Sequence, residues 1–209
     1  MMPRVAVLFS QNASATRYLL KNDRWYGRRY EIVGAISNNK NSSFLKDSGS
    51  YRITARCLDF EEFKNAHKGL DSATLQRRYS ERILDVCKQW RATHVIMCGF
   101  FVVVGDPLLS YYEDRIINIH PADLSILDDN GQRKYIGLNA VQKVMNDHLS
   151  KIRSTAHFAT NDLGGGPIIC FSQWLALDYR RDAKFNHERL KKFEGPMLAW
   201  ALHHVIQNS

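Results

Sequence analysis

The run Val5-Ala6-Val7-Leu8-Phe9 limits the possible folds more than any other stretch of this chain. Successive side chains of a strand point to opposite faces, so five apolar residues in a row leave neither face fit for water. A strand over 4–9 therefore belongs in the middle of a parallel sheet, with helices on both sides. The rest of the sequence fits that demand. The polar turn Ser10-Gln11-Asn12-Ala13-Ser14 leads into a predicted helix over 15–21, and further strands are predicted over 30–37, 51–58, 94–98 and 115–119. The clearest helix is predicted over 73–90, with Leu75, Tyr79, Ile83, Val86 and Trp90 on one face. Strands alternating with helices read as a doubly wound α/β sheet.

Beyond residue 123 the pattern changes. A polar loop, Asp128-Asp129-Asn130-Gly131-Gln132-Arg133-Lys134, precedes a predicted helix over 138–148. Two strands, 154–160 and 167–176, flank Asn161-Asp162-Leu163-Gly164-Gly165-Gly166, a span that suits a hairpin or a mobile loop. A last helix is predicted over 185–205, kinked or divided at Gly195-Pro196.

Chemistry is most legible in Ile116-Ile117-Asn118-Ile119-His120-Pro121, a buried strand that ends in two polar side chains and a proline. Alternation puts Asn118 and His120 on the same side. A neutral amide beside an imidazole can hold an oxyanion and move a proton, which is chemistry on a carbonyl. The plainer reading of His120 is a residue that caps the strand through a hydrogen bond. Open α/β sheets bind ligands beyond the carboxyl ends of their strands. The turn at 10–14, the segment 99–106 and the Asn118/His120 pair all fall there. The turn either cradles a phosphate at a helix N-terminus or holds a plain N-cap from Ser10, Asn12 or Ser14. Gly164-Gly165-Gly166 shapes either a ligand-binding loop or a tight turn.

Composition bounds the rest. At 209 residues, 44% hydrophobic and 24% charged, the chain fits one soluble globular domain. The longest apolar run, 95–104, is too short to span a bilayer and is broken by Gly99. No signal-peptide zones open the sequence, and Cys57, Cys87, Cys98 and Cys170 show neither metal-ligand nor disulfide spacing. A reducing cytoplasm is the expected home. The net charge of +8 gathers in Arg24/Arg28/Arg29, Arg180/Arg181/Lys184 and Arg189/Lys191/Lys192. These read as solvated surface or as attraction for an anionic small molecule; no nucleic-acid module accompanies them. Dinucleotide, Walker, GxSxG and HExxH motifs are absent.

Two elements together carry a specific likeness: Asn118-Ile119-His120-Pro121, and His157-Phe158-Ala159-Thr160 running into Leu163-Gly164-Gly165-Gly166-Pro167-Ile168-Ile169. In this order and separation they resemble the folate-dependent formyltransferase family, most of all its purine-synthesis branch, which formylates glycinamide ribonucleotide. The likeness runs from the first strand to the last helix. It implies a Rossmann-like formyltransferase fold: a mostly parallel twisted sheet, helices on both faces and an antiparallel C-terminal addition. It also implies one domain over 1–209, with a nucleotide- and phosphate-binding half over 1–115 and a catalytic and folate-loop half over 116–209.

The activity implied is transfer of a formyl group from 10-formyltetrahydrofolate, a co-substrate, to the amine of a small anionic acceptor, with no metal, membrane or nucleic-acid partner, by a monomer or homodimer. His120 would assist proton transfer and bind the oxyanion that Asn118 also holds. Phe100, Phe101, Val102 and Val104 would form the folate wall together with Asn161, Gly164 and Gly165. Lys191 and Glu194 match the Lys-x-x-Glu that meets the phosphorylated amine; the plainer reading is a helix-surface salt bridge.

Departures from the family pattern are also legible. Gly164 stands where the family keeps its catalytic aspartate, and Asp162, two residues upstream, is the candidate replacement. The glycine-rich phosphate turn is here Asn12-Ala13-Ser14 within 11–15, and the usual arginine beside the folate is lost in Phe100-Phe101-Val102-Val103-Val104. An insertion ends in Arg133-Lys134-Tyr135, where Arg133 and Lys134 either recruit an anion or line a solvated loop. Two further readings stay open: a 10-formyltetrahydrofolate hydrolase, although such hydrolases normally carry an N-terminal regulatory domain, and a non-catalytic folate- or nucleotide-binding protein that has lost its carboxylate.

Overall fold

The computed structural model describes residues 2–208. In chain order the elements are β1 (Arg4–Phe9), α1 (Ser14–Asn22), β2 (Glu31–Ser37), α2 (Ser43–Asp47), β3 (Ala55–Cys57), α3 (Phe60–Ala66), α4 (Ser72–Gln89), β4 (His94–Cys98), α5 (Leu108–Tyr111), β5 (Ile116–His120), α6 (Ala140–Asn146), β6 (Lys151–Ile152), β7 (Thr155–Phe158), β8 (Ile168–Phe171), β9 (Leu175–Ala176) and α7 (Ala183–Gln207). Seven strands form one sheet in the order β3-β2-β1-β4-β5-β7-β8. The first five are parallel, and β7 and β8 are antiparallel additions at the end of the sheet.

The opening strand does what its composition requires. Val5, Val7 and Phe9 pack with Leu19 of α1 and Leu198, Ala201 and Leu202 of α7. Ala6 and Leu8 face the other way, onto Tyr79, Ile83 and Leu84 of α4. A third cluster joins α6 to Ala122, Tyr135, Leu175 and Leu190, beyond the end of β5. No helix among the described residues is long and apolar enough to cross a membrane.

Three sequence expectations need correction. The strand predicted over 51–58 shrinks to β3, because a 3-10 turn over Ser48–Tyr51 takes up its start. The strand predicted over 167–176 breaks in two: β8 stays in the main sheet, while β9 pairs with β6 in a separate ribbon. The break sits at Ser172, whose N–H still donates to the Ser154 carbonyl at 2.9 Å but whose hydroxyl takes the Ser154 N–H at 2.9 Å in place of a main-chain acceptor and donates to the Gln173 carbonyl at 3.0 Å. Finally, Gly195-Pro196 does not divide α7. Pro196 and Lys192, whose carbonyl loses its donor, both lie on the exposed side of the helix. Gly195 faces inward, where a Cβ would stand 2.4 Å from the Tyr18 ring of α1, so the glycine sets how closely the two helices approach.

Candidate active site

Because the first five strands are parallel, β1, β4 and β5 end at the same edge of the sheet. The turns that leave β1 and β4 are fastened together there. Ser10 N–H donates to the Gly99 carbonyl at 3.1 Å, and Phe101 N–H donates to Ser10 Oγ at 2.9 Å. From α4, Gln76 Nε2 donates to the Val104 carbonyl and Ser80 Oγ accepts from Gly105 N–H, both at 3.0 Å. Asn161 Nδ2 donates to Asp106 Oδ2 at 3.1 Å, tying the glycine-rich loop to the loop after β4. Phe100 and Val104 are packed into the core, whereas Phe101, Val103 and Leu163 are each 51% exposed on these two tied loops. The available apolar surface is therefore Phe101, Val103 and Leu163, with Val102 half-buried; all four lie in the segments 100–104 and 161–165 expected from sequence, whereas Phe100 and Val104 of the same segments are core residues.

The turn after β1 holds no side-chain cap. Ala13 is the N-cap residue of α1, in the left-handed region at φ 46°, and it has no oxygen to offer. None of Ser10, Asn12 or Ser14 caps the helix, so its first N–H groups have no side-chain acceptor. Arg17 Nε secures the turn by donating to the Asn12 carbonyl at 2.8 Å.

At the end of β5 the alternation holds. Asn118 pairs with His157 and His120 with Thr155 across the antiparallel β7 ladder, so all four side chains share a face. Asn118 and His157 meet at 3.0 Å, between Nδ2 and Nε2. His157 Nδ1 lies 2.8 Å from the Phe158 carbonyl, which only accepts, so Nδ1 carries the proton and Nε2 accepts from Asn118. Burial pushes the His157 pKa down to about 4 against the opposing bond to the Phe158 carbonyl, with smaller lowering effects from the neighbouring His120 and Arg133, so His157 is neutral. The second N–H of Asn118 is left without a partner among the described residues.

His120 is 8% exposed, and its Nε2 lies 2.5 Å from the Tyr135 carbonyl. Nε2 must donate, which leaves Nδ1 as a lone-pair acceptor. Burial lowers the His120 pKa; the bond to Tyr135 opposes this, and Lys143 and Arg133 lower it further. A neutral imidazole of this tautomer accepts a proton and has no N–H to spare for an oxyanion. On this face His120 thus offers a lone pair, and the spare N–H donor belongs to Asn118.

The other expected residues are placed as follows. Asp162 is exposed and folds over its own turn, its Oδ2 1.8 Å from where a Gly165 Cβ would stand; no hydrogen bond joins it to His120 or Asn118. Gly164 sits at φ +70° against Ile136, and its carbonyl accepts from Arg133 Nη1. Lys134 turns away to Asp147 at 2.7 Å. Lys191 pairs with Glu188 at 2.5 Å, whereas Glu194 is buried and accepts from Ser154 Oγ at 3.0 Å, so the two do not form the surface salt bridge that was the plainer reading. Two residues near His120 were missed from sequence, Lys143 on α6 and His187 on α7, the latter pushed down to about 4 by burial with Lys191 and His120 nearby; His157, quoted in the family likeness, had been given no role. No group of three or more His, Cys, Asp or Glu among the described residues could hold a metal ion.

The sequence pattern of the formyl transferase family matches residues 3–202. Phosphoribosylglycinamide formyltransferase of Escherichia coli is 26% identical over 169 residues, covering 79% of this chain and 69% of that protein. Formyltetrahydrofolate deformylase of Haemophilus influenzae is 22% identical over 199 residues, covering 95% of this chain and 64% of that one. The chain spans only 15% of the bovine trifunctional purine biosynthetic protein adenosine-3, to which it is 25% identical over 166 residues. Among solved structures, glycinamide ribonucleotide transformylase 1 of Symbiobacterium toebii superposes with a TM-score of 0.82 at 19% identity, covering 99% of this chain and 89% of that chain.

Proposed function

Because the chain belongs to the formyl transferase family, we propose that it moves the formyl group of 10-formyltetrahydrofolate onto the amine of a small anionic acceptor. One observation carries the reading: on one face at the end of β5, Asn118 keeps a free N–H and His120 a free lone pair. The acceptor nitrogen attacks the formyl carbon, and the carbonyl oxygen becomes an oxyanion that the Asn118 amide stabilises. His120 Nδ1 takes the proton from the attacking nitrogen. The bond from carbon to N10 of the folate then breaks, and the same proton passes to N10. Phe101, Val103 and Leu163 offer apolar contact to the pterin, and the uncapped start of α1 offers N–H groups to an acceptor phosphate. Glycinamide ribonucleotide is the first acceptor to test.

A second reading keeps the same residues and replaces the amine with water. The deformylase likeness, which spans almost the whole chain, favours it. The test is incubation with 10-formyltetrahydrofolate, with and without glycinamide ribonucleotide and other amines. Release of tetrahydrofolate that depends on amine supports transfer. Release at the same rate without amine supports hydrolysis, and binding with no release overturns both.

A further inference from the structure

The carboxylate that the family keeps before its Gly-Gly-Pro is missing here, and the local geometry resists its return. A Cβ on Gly164 would meet Ile136 Cγ2 at 2.9 Å, at a φ of +70° that side chains rarely adopt. Two cations stand in the neighbourhood instead. Arg133 donates from Nη1 to the Gly164 carbonyl, and Lys143 Nζ donates to the Ile136 carbonyl at 2.8 Å. Both are held by neutral acceptors. Neither has a carboxylate within ion-pair distance among the described residues, whereas Lys134, Arg153 and Lys191 all do. Both charges reach His120, and that of Arg133 also reaches His157.

We propose that Arg133 and Lys143 receive an anionic group, a carboxylate or a phosphate, that the acceptor carries beside its amine, so that the substrate brings the charge the protein has lost. The inference rests on the formyl-transfer reading and deepens it by placing an anion at the reacting centre, which favours an acceptor other than glycinamide ribonucleotide, whose phosphate is remote from its amine. Two unpaired cations pre-fixed by main-chain carbonyls bind an anion through charge-assisted hydrogen bonds. An anion there also offsets the positive charges around His120 and makes it a stronger base. The carboxylates of the folate are separated from N10 by a rigid benzoyl group, so the acceptor is the source that reaches this position.

The first test does not require turnover. The His120 ring is titrated by NMR in the intact protein, with and without sodium acetate or inorganic phosphate. The groups around that ring are the Tyr135 carbonyl, His157 on β7, Arg133 on the inserted loop, Lys143 on α6 and His187 on α7. Either anion should raise the His120 pKa in the parent, and less so in Arg133→Gln and in Lys143→Gln. Lys143→Gln leaves the Arg133–Gly164 contact in place and so serves if the first variant misfolds. An unchanged titration in the parent, or equal shifts in parent and variants, overturns the proposal.

The second test compares two amines of matched pKa, one with an adjacent carboxylate and one without. In Arg133→Gln the KM of the anionic amine should rise roughly tenfold to a hundredfold more than that of the neutral one. Equal losses overturn the proposal. So does a loss that appears only in the KM of the glutamyl folate and vanishes with a folate lacking its glutamate. If no amine is formylated, the function reading fails, and the titration still decides whether the anion site exists.

Discussion

The amide of Asn118 and the imidazole of His157 are joined across the β5–β7 ladder at 3.0 Å, and His157 is fixed in turn by the Phe158 carbonyl at 2.8 Å. The second bond sets the tautomer, the tautomer makes Nε2 an acceptor, and the acceptor engages one N–H of the Asn118 amide and leaves the other without a partner among the described residues. His157 is therefore a positioning residue. His157→Leu should lower kcat by roughly tenfold to a hundredfold, the cost of loosening one oxyanion donor, with little change in the KM for folate. His157→Gln, which keeps an acceptor near the same place, should recover part of the rate. Equal kcat in the two variants would mean that His157 only fills space.

His120 must be neutral to take a proton. Burial and the charges of Lys143 and Arg133 hold its pKa below the ordinary histidine value. The active form thus persists to lower pH than usual, and kcat/KM should rise with pH and level off before the ordinary range near 6.5 is reached. His120→Ala should abolish turnover while circular dichroism stays that of the parent. An acid limb centred above 6.5, or a competent alanine variant, would remove His120 from the mechanism.

What could be read from the sequence was what is local in the chain. Asn118 and His120 lie two residues apart on one strand, so alternation alone placed them together, and the five apolar residues of β1 demanded a two-sided cover that α1, α4 and α7 supply. His157, Lys143 and His187 reach the same site through an antiparallel pairing and two helix dockings, and no spacing rule encodes those. That Lys191 and Glu194 form no ion pair with each other was hidden for a related reason. Helical spacing puts them near one another, but Glu194 turns to Ser154 on the β7 side while Lys191 finds Glu188. The uncapped start of α1 was equally hidden, because three good capping residues surround Ala13 and none of them takes the N-cap position.

Asp162 is the carboxylate nearest in sequence to the missing one, and the structure leaves it folded over Gly165 on the exposed side of the loop. Its main-chain carbonyl, by contrast, closes the turn, accepting from Gly165 N–H at 2.9 Å and from Thr160 Oγ1 at 3.1 Å. Asp162→Asn keeps that carbonyl and removes only the charge. We expect kcat within about threefold of the parent, since no hydrogen bond to the reacting pair is lost. A drop of a hundredfold with unchanged folate binding would show that the loop re-registers during turnover and carries Asp162 to His120.

Glu194 makes a prediction about stability. It is buried, and desolvation pushes its pKa up to about 7, against the smaller opposing effects of the Ser154 hydroxyl and Lys191. Its folded value exceeds the unfolded one, so between roughly pH 4.5 and 7 the native state holds more proton than the unfolded chain, and stability falls as pH rises through that window. The loss is complete above the folded pKa and amounts to roughly 3 kcal/mol at most. His94, His157 and His187, each lowered to about 4, act in the opposite sense between about 4 and 6.5: stability rises with pH there. A parent-minus-variant comparison cancels that common contribution. Glu194→Gln keeps a partner for Ser154 without a charge to bury. Its urea midpoint should match the parent's near pH 5 and exceed it at pH 8.5. Parallel pH profiles in the two proteins would mean that Glu194 is solvated and ionised throughout, and that α7 does not press it against β7 as described.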